Sequence, residues 1–164
     1  MAPQVLYRVI YGTTAPTSFQ LSRLTIRSAL LPHYTRHRVC DCDYPAIIPS
    51  SEPGASVRGT YVQGFTEGDQ WRLDLFEGGQ YNRIKVRPQL LDESGSEGRE
   101  VEAETYVWVD EETGLEAGEW DFEVFRREKM GRWVGNGEEY AGELRPSIAG
   151  VQRMWEAGHE ADAF

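Results

Sequence analysis

Three runs of β-branched and aromatic residues, Val57 to Gln63, Tyr81 to Leu91 and Val101 to Val109, sit close together, separated by a short helical stretch and an acidic turn. Short strands with few helices between them predict an α+β fold, a small mixed β-barrel with peripheral helices, rather than a doubly wound parallel sheet. Thr66 precedes the helical stretch Glu67 to Phe76 as an N-cap, with Asp69 completing a capping box. Gly78 and Gly79 stop that helix by supplying backbone freedom at its C-terminal end. Ile84 and Val86 then alternate with Lys85 and Arg87, the period-two pattern of a strand with one face inward. The acidic Gly/Ser-rich segment Asp92 to Glu100 reads as a hairpin loop joining this strand to Val101 to Val109.

Outside this region the pattern is more mixed. Met1 to Tyr11 places Val5, Leu6, Val9 and Ile10 close to helical spacing, although Val5 to Tyr11 also fits a strand. Gly12 to Ser18 is a loop, Thr25 to Leu31 a strand ending at Pro32, and Tyr44 to Gly54 a proline-punctuated loop. Beyond a loop at Asp110 to Gly118, Trp120 to Trp133 reads as an amphipathic helix with Phe122, Phe125 and Trp133 inward. A last helical segment follows Pro146, with Ile148, Val151 and Trp155 along one stripe. The organisation expected is one domain over residues 1–145 and a C-terminal helical extension over 146–164.

A chain of 164 residues buries roughly 70% of its unfolded surface, enough for a core without disulfides or metals. The net charge of −10 argues against a nucleic-acid partner, because that binding depends on neutralising phosphates. Arg23, Arg27, Arg36 and Arg38, with His33 and His37, are interleaved with apolar residues, as on a solvated strand and loop surface. No apolar run approaches the ~20 residues of a membrane helix, and Arg8 interrupts the first apolar segment, against a signal peptide. With only Cys40 and Cys42, no disulfide scaffold is expected, and the reading is an intracellular, cytoplasmic protein.

Three segments carry a family resemblance. Val57-Arg58-Gly59-Thr60 leads to Leu73-Asp74-Leu75-Phe76-Glu77-Gly78 and then Tyr81-Asn82-Arg83. Glu104-Thr105-Tyr106-Val107-Trp108 is the second, and Gly118-Glu119-Trp120-Asp121-Phe122-Glu123 the third. Together they resemble the avirulence-induced-gene branch of the γ-glutamylcyclotransferase superfamily, whose acidic turn reads Leu-Asp-x-x-Glu-Gly followed by Tyr-x-Arg.

The resemblance implies an acyltransferase that releases an amine or amino acid from a γ-glutamyl conjugate as the glutamyl group closes to 5-oxoproline. It assigns Glu77 as the general acid/base and places Tyr81 at the substrate, with a small γ-glutamyl molecule as partner and no metal or nucleotide cofactor. The physical setting of Glu77 agrees with that role. A helix C-terminus carries about half a negative charge, which disfavours ionising a carboxylate there and makes it a better proton acceptor.

The family's first strand runs into Tyr-Gly-Ser/Thr, whose amides cradle the substrate. Tyr11-Gly12-Thr13 is similar to that loop. Met1-Ala2-Pro3-Gln4-Val5-Leu6 is instead similar to the proline and aliphatic helix that follow the loop in this branch, which would put the loop upstream of Met1. Both alignments stand at this level. On the second, the expected outcome is a catalytically impaired small-molecule or protein-binding module on the same fold. A third function is another proton-transfer enzyme of specialised metabolism using Glu77.

His33, His37, Cys40 and Cys42 make a His-x3-His-x2-Cys-x-Cys string, but its compact spacing is unlike a zinc finger and no metal is expected there. The aromatic C-terminal helices read as core or homodimer contacts, and no membrane partner is expected.

Overall fold

The computed structural model describes residues 1–134, so the segment after Pro146 and the boundary at residue 146 lie outside the described residues. The chain divides into two units: the described α-helices fall in one, apart from Phe122 at the start of the fourth, and the described strands fall in the other.

The helical unit comprises Met1–Arg23, Gly64–Gly78 and the described residues from Glu123. Its first helix, α1 (Pro3–Tyr11), begins with a proline whose fixed φ suits the first turn and whose missing N–H costs nothing there. Val5, Leu6, Val9 and Ile10 are all buried on one stripe, so helical spacing rather than strand alternation governs this segment. Gly12 ends α1 in the left-handed conformation (φ 68°), its N–H donating to the Arg8 carbonyl. A short α2 (Ser18–Ser22) follows, capped by Thr17 and Gln20.

Helix α3 (Glu67–Glu77) carries the capping box that the sequence predicts. The Asp69 N–H donates to Thr66 Oγ1 at 3.1 Å, and Thr66 N–H donates to Asp69 Oδ2 at 2.9 Å. Leu73 and Phe76 bury its inner face. The stretch read as one helix from Trp120 forms two, α4 (Phe122–Glu128) and α5 (Met130–Val134). The Trp133 ring meets Phe76 and Phe125 edge-on, with centroids 6.4 and 5.9 Å away, the arrangement aromatic quadrupoles prefer. Burying each such ring contributes about 1.5–3 kcal/mol.

The strand unit comprises Leu24–Gln63 and Gly79–Phe122. Its strands are β1 (Thr25–Pro32), β2 (Tyr34–Val39), β3 (Pro45–Pro49), β4 (Ser56–Gln63), β5 (Tyr81–Val86), β6 (Gln89–Leu91), β7 (Glu97–Glu100), β8 (Ala103–Trp108) and β9 (Leu115–Glu119). They form three antiparallel sheets in the orders β4-β1-β6-β7, β3-β2-β9 and β5-β8. The α+β class holds. The mixed barrel does not: the described ladders are all antiparallel and do not close.

One cause is visible at Pro88. The run Tyr81 to Leu91 is not one strand but two, β5 and β6, which pair in different sheets. Pro88 has no N–H for a ladder and restricts Arg87 before it, so the pairing breaks there. Three segments read as loops contain strands, one of them Glu97–Glu100, which pairs with β6. Pro45–Pro49 pairs along β2 as an edge strand, where its terminal prolines are tolerated. Leu115–Glu119 pairs with the other side of β2 despite its acidic composition.

The arginines of β2 are held by β9 and by residues outside it. Arg36 lies over the Trp120 ring at 5.4 Å and ion-pairs with Glu119 at 3.3 Å, and Arg38 ion-pairs with Asp43 and Glu116. Val39, Ala46, Tyr81 and Trp108 form a core cluster, with Cys42, Tyr44, Ile48, Tyr106 and Leu115 packed around it.

Candidate functional site

Glu77 is the last residue of α3, and its side chain is half-buried. Two features fix where the helix delivers it. At the N-terminal end, Asp69 is only 4% exposed and receives hydrogen bonds from Thr66 N–H and Oγ1, with Arg72 and Arg23 guanidinium groups at 3.6 and 3.7 Å. A buried carboxylate so satisfied locks the first turn, and Arg23 ties it to the end of α2. At the other end, Gly78 N–H donates to the Asp74 carbonyl and Gly78 adopts φ 69°, ψ −170°.

That conformation is essentially reserved for glycine, because any Cβ clashes with the local backbone. Gly79, by contrast, carries no positive φ and has open space where a Cβ would go. Gly78→Ala is therefore expected to lower stability by about 1–3 kcal/mol and to disturb the end of α3, while Gly79→Ala stays close to the parent. Urea unfolding of the two variants checks this; equal midpoints would show that the turn is not under glycine control.

Tyr81, assigned to the substrate by resemblance, lies in the core of the strand unit. It is buried, its ring meets Trp108 edge-on at 5.3 Å, and its hydroxyl donates to the Pro45 carbonyl at 3.2 Å.

Tyr11 is the last residue of α1, so Gly12-Thr13 follows a helix and not a strand. Tyr11 is buried with its hydroxyl donating to the Gln20 carbonyl at 3.1 Å, and Thr13 Oγ1 accepts from Ala15 N–H. The Gly12 N–H is already bonded to Arg8. The phenol of Tyr11 is pushed above its ordinary value by burial and then by the nearby Asp69 carboxylate, against the opposing pull of Arg23. A raised folded-state value means that this contribution to stability is intact below the unfolded tyrosine value of about 10 and is lost as pH rises through the folded one. Alkaline unfolding should thus begin at lower pH in the parent than in Tyr11→Phe; coincident curves would refute the assignment.

The His/Cys string does not converge. His33 sits in the β1–β2 turn at φ 65°, whereas the His37 ring nitrogens lie 3.0 Å from the Glu116 carbonyl and from Thr35 Oγ1. No group of three His, Cys, Asp or Glu side chains arranged for a metal occurs among the described residues. Nor is any described helix long and apolar enough to cross a membrane. The buried Asp69 network was only half visible in the sequence: its capping-box spacing is local, but Arg23 reaches it from another helix.

Comparison with known proteins decides the family. The family model described as "Gamma-glutamyl cyclotransferase, AIG2-like" matches residues 9–122. The chain belongs to this family. Two Arabidopsis thaliana members illustrate the likeness. AIG2-like protein B is 31% identical over 137 residues, covering 81% of this chain and 76% of that protein. Protein AIG2 C is 36% identical over 98 residues, and the match spans 60% of this chain but only 56% of that protein's length. Among solved structures, the solution structure of another Arabidopsis thaliana protein superposes with a TM-score of 0.55 at 25% identity, over 97% of this chain and 81% of that one. The matched region of the AIG2-like family contains the whole of α3 and Glu77.

Proposed function

We propose that the protein is a γ-glutamylcyclotransferase in which Glu77 moves the protons. The observation that carries this reading is Glu77 at the end of a helix clamped at both termini, inside the region matched by the AIG2-like family. The α-amine of a γ-glutamyl conjugate attacks its own γ-carbonyl, the Cδ–N bond to the amine breaks, and 5-oxoproline forms. The Glu77 carboxylate takes the proton from the attacking ammonium and returns one to the leaving amine. Ring closure is intramolecular, so the enzyme's remaining tasks are proton transfer and support of the oxyanion. Neither task requires a metal or nucleotide.

The test is a panel of γ-glutamyl amines and γ-glutamyl dipeptides incubated with the protein, with 5-oxoproline followed by mass spectrometry. Release with at least one member of the panel is the expected result; none with any member overturns the reading.

A second reading, a binding module on the same fold, is favoured by one observation. Gly12 N–H donates within α1, so it is not directed at an oxyanion beside Tyr11 and Thr13. Ligand-dependent protection against unfolding by γ-glutamyl compounds, without turnover, would support this reading over the first.

A further inference from the structure

We propose that Cys40 and Cys42 form a reversible dithiol–disulfide pair at the turn between β2 and β3, a redox-modification site independent of Glu77. Both thiols are free and both are half-buried. In an extended strand, residues two apart are separated by about 6.6–7.2 Å between Cα atoms, around the ~6.8 Å upper limit for a disulfide and well above its usual ~5.5–6 Å. This segment is not extended. Cys42 N–H donates to the Val39 carbonyl at 3.0 Å, closing a tight turn, and Asp41 between the cysteines has φ 58°. A left-handed residue at that position draws its neighbours together. For a residue other than glycine this is an uncommon conformation, held by the surrounding contacts.

Those contacts clamp the turn from both sides. Cys40 N–H donates to the Gly114 carbonyl at 2.8 Å, Val39 N–H to the Tyr44 carbonyl at 3.1 Å, and Arg38 Nε to the Cys42 carbonyl at 2.7 Å. The two thiols have different surroundings. Cys40 Sγ lies 3.7 Å from the Thr113 carbonyl, and Cys42 packs against the cluster of Val39, Ala46, Tyr81 and Trp108. Cysteine is usually placed beside such a core as a small apolar residue. A second thiol held two residues away, across a turn that does not depend on either sulfur for its hydrogen bonds, is the additional feature here.

The oxidant is a low-molecular-weight disulfide of the glutathione class. One cysteine, as thiolate, attacks a sulfur of that disulfide, forming a protein mixed disulfide and releasing one glutathione thiolate. The second cysteine, after losing its proton, attacks the protein sulfur of the mixed disulfide and releases the second glutathione. Two protein S–H bonds become one S–S bond, and the external disulfide is reduced to two thiols. A ring this small is strained, which makes the bond easily reduced and suits a responsive pair rather than a permanent staple. Closing it also requires the Cys42 sulfur to shift from its place against the core.

The experiment treats the full chain with glutathione disulfide and measures intact mass and free thiols. The expected product is lighter by two hydrogens, has lost both thiols together, and regains them with dithiothreitol. Cys40→Ser and Cys42→Ser should each instead accumulate one glutathione adduct, because neither has a resolving thiol. Circular dichroism and a melting curve on each variant separate loss of pairing from loss of folding. A parent that carries two glutathione adducts, forms disulfide-linked dimers, or keeps both thiols under conditions that modify the single variants overturns the proposal.

Discussion

Replacing Glu77 by glutamine is expected to reduce 5-oxoproline release by ~10²-fold or more, with no change in the melting curve beyond a small shift. Glutamine keeps the size and hydrogen-bonding shape of the side chain but cannot accept and return a proton. The helix that carries it should survive. Its N-terminal turn is secured by Thr66 and Asp69, and its inner face by Leu73 and Phe76, none of which the substitution touches. Glu77→Asp is a useful companion, since it restores the carboxylate but withdraws it by one methylene, and a partial recovery would identify proton transfer as the lost function. If the glutamine variant turns over as fast as the parent, Glu77 is not the base, whatever the parent's activity. If the parent releases no 5-oxoproline at all, the cyclotransferase reading fails before the variant is needed.

The largest structural effect is expected at Trp108. Trp108→Ala should destabilise the protein by about 3–5 kcal/mol, the usual result of truncating a buried large aromatic residue. The indole is almost fully buried, and its Nε1–H donates to the Glu111 carbonyl at 3.2 Å. Its ring lies so close to Gly114 that a Cβ there would stand 3.2 Å from it. Truncation would leave Tyr81 without its edge-on partner and open a void in the cluster with Val39 and Ala46. Trp71, which is 49% exposed on α3, supplies the contrast: Trp71→Ala should shift stability by no more than about 0.5 kcal/mol. Urea unfolding followed by circular dichroism measures both. A loss below ~1 kcal/mol at Trp108 would mean that the strand unit does not depend on this cluster.

Short-range physics governs what this sequence determines alone. The capping box needs only Thr66 and Asp69 three residues apart. The buried stripe of α1 needs only its apolar spacing and a proline in the first turn. Strand β1 ends at Pro32, and the β5–β8 pairing follows from two β-rich runs joined by a turn. The family, too, was legible, because its motifs are contiguous. Glu77 was singled out in this way, through resemblance supported by its place at a helix end.

The tertiary structure decided what depended on partners far along the chain. Pro45–Pro49 and Leu115–Glu119 have compositions that suit loops, yet both become strands because β2 offers a free ladder on each side. Their backbone groups are satisfied by pairing, which outweighs weak local preference. In place of the expected small mixed barrel, the described strands form three antiparallel sheets, with Pro88 parting β5 from β6. Tyr81 stands in a family motif, and the folded chain sets its ring edge-on to Trp108 and its hydroxyl against the Pro45 carbonyl. The sequence by itself therefore determined the helix caps, the strand-rich middle and the family to which the chain belongs, all of which are encoded within a few residues. Only the folded chain decided which strands share a sheet, which polar groups are buried, and whether a motif residue faces a core, because these depend on atoms brought together from distant positions.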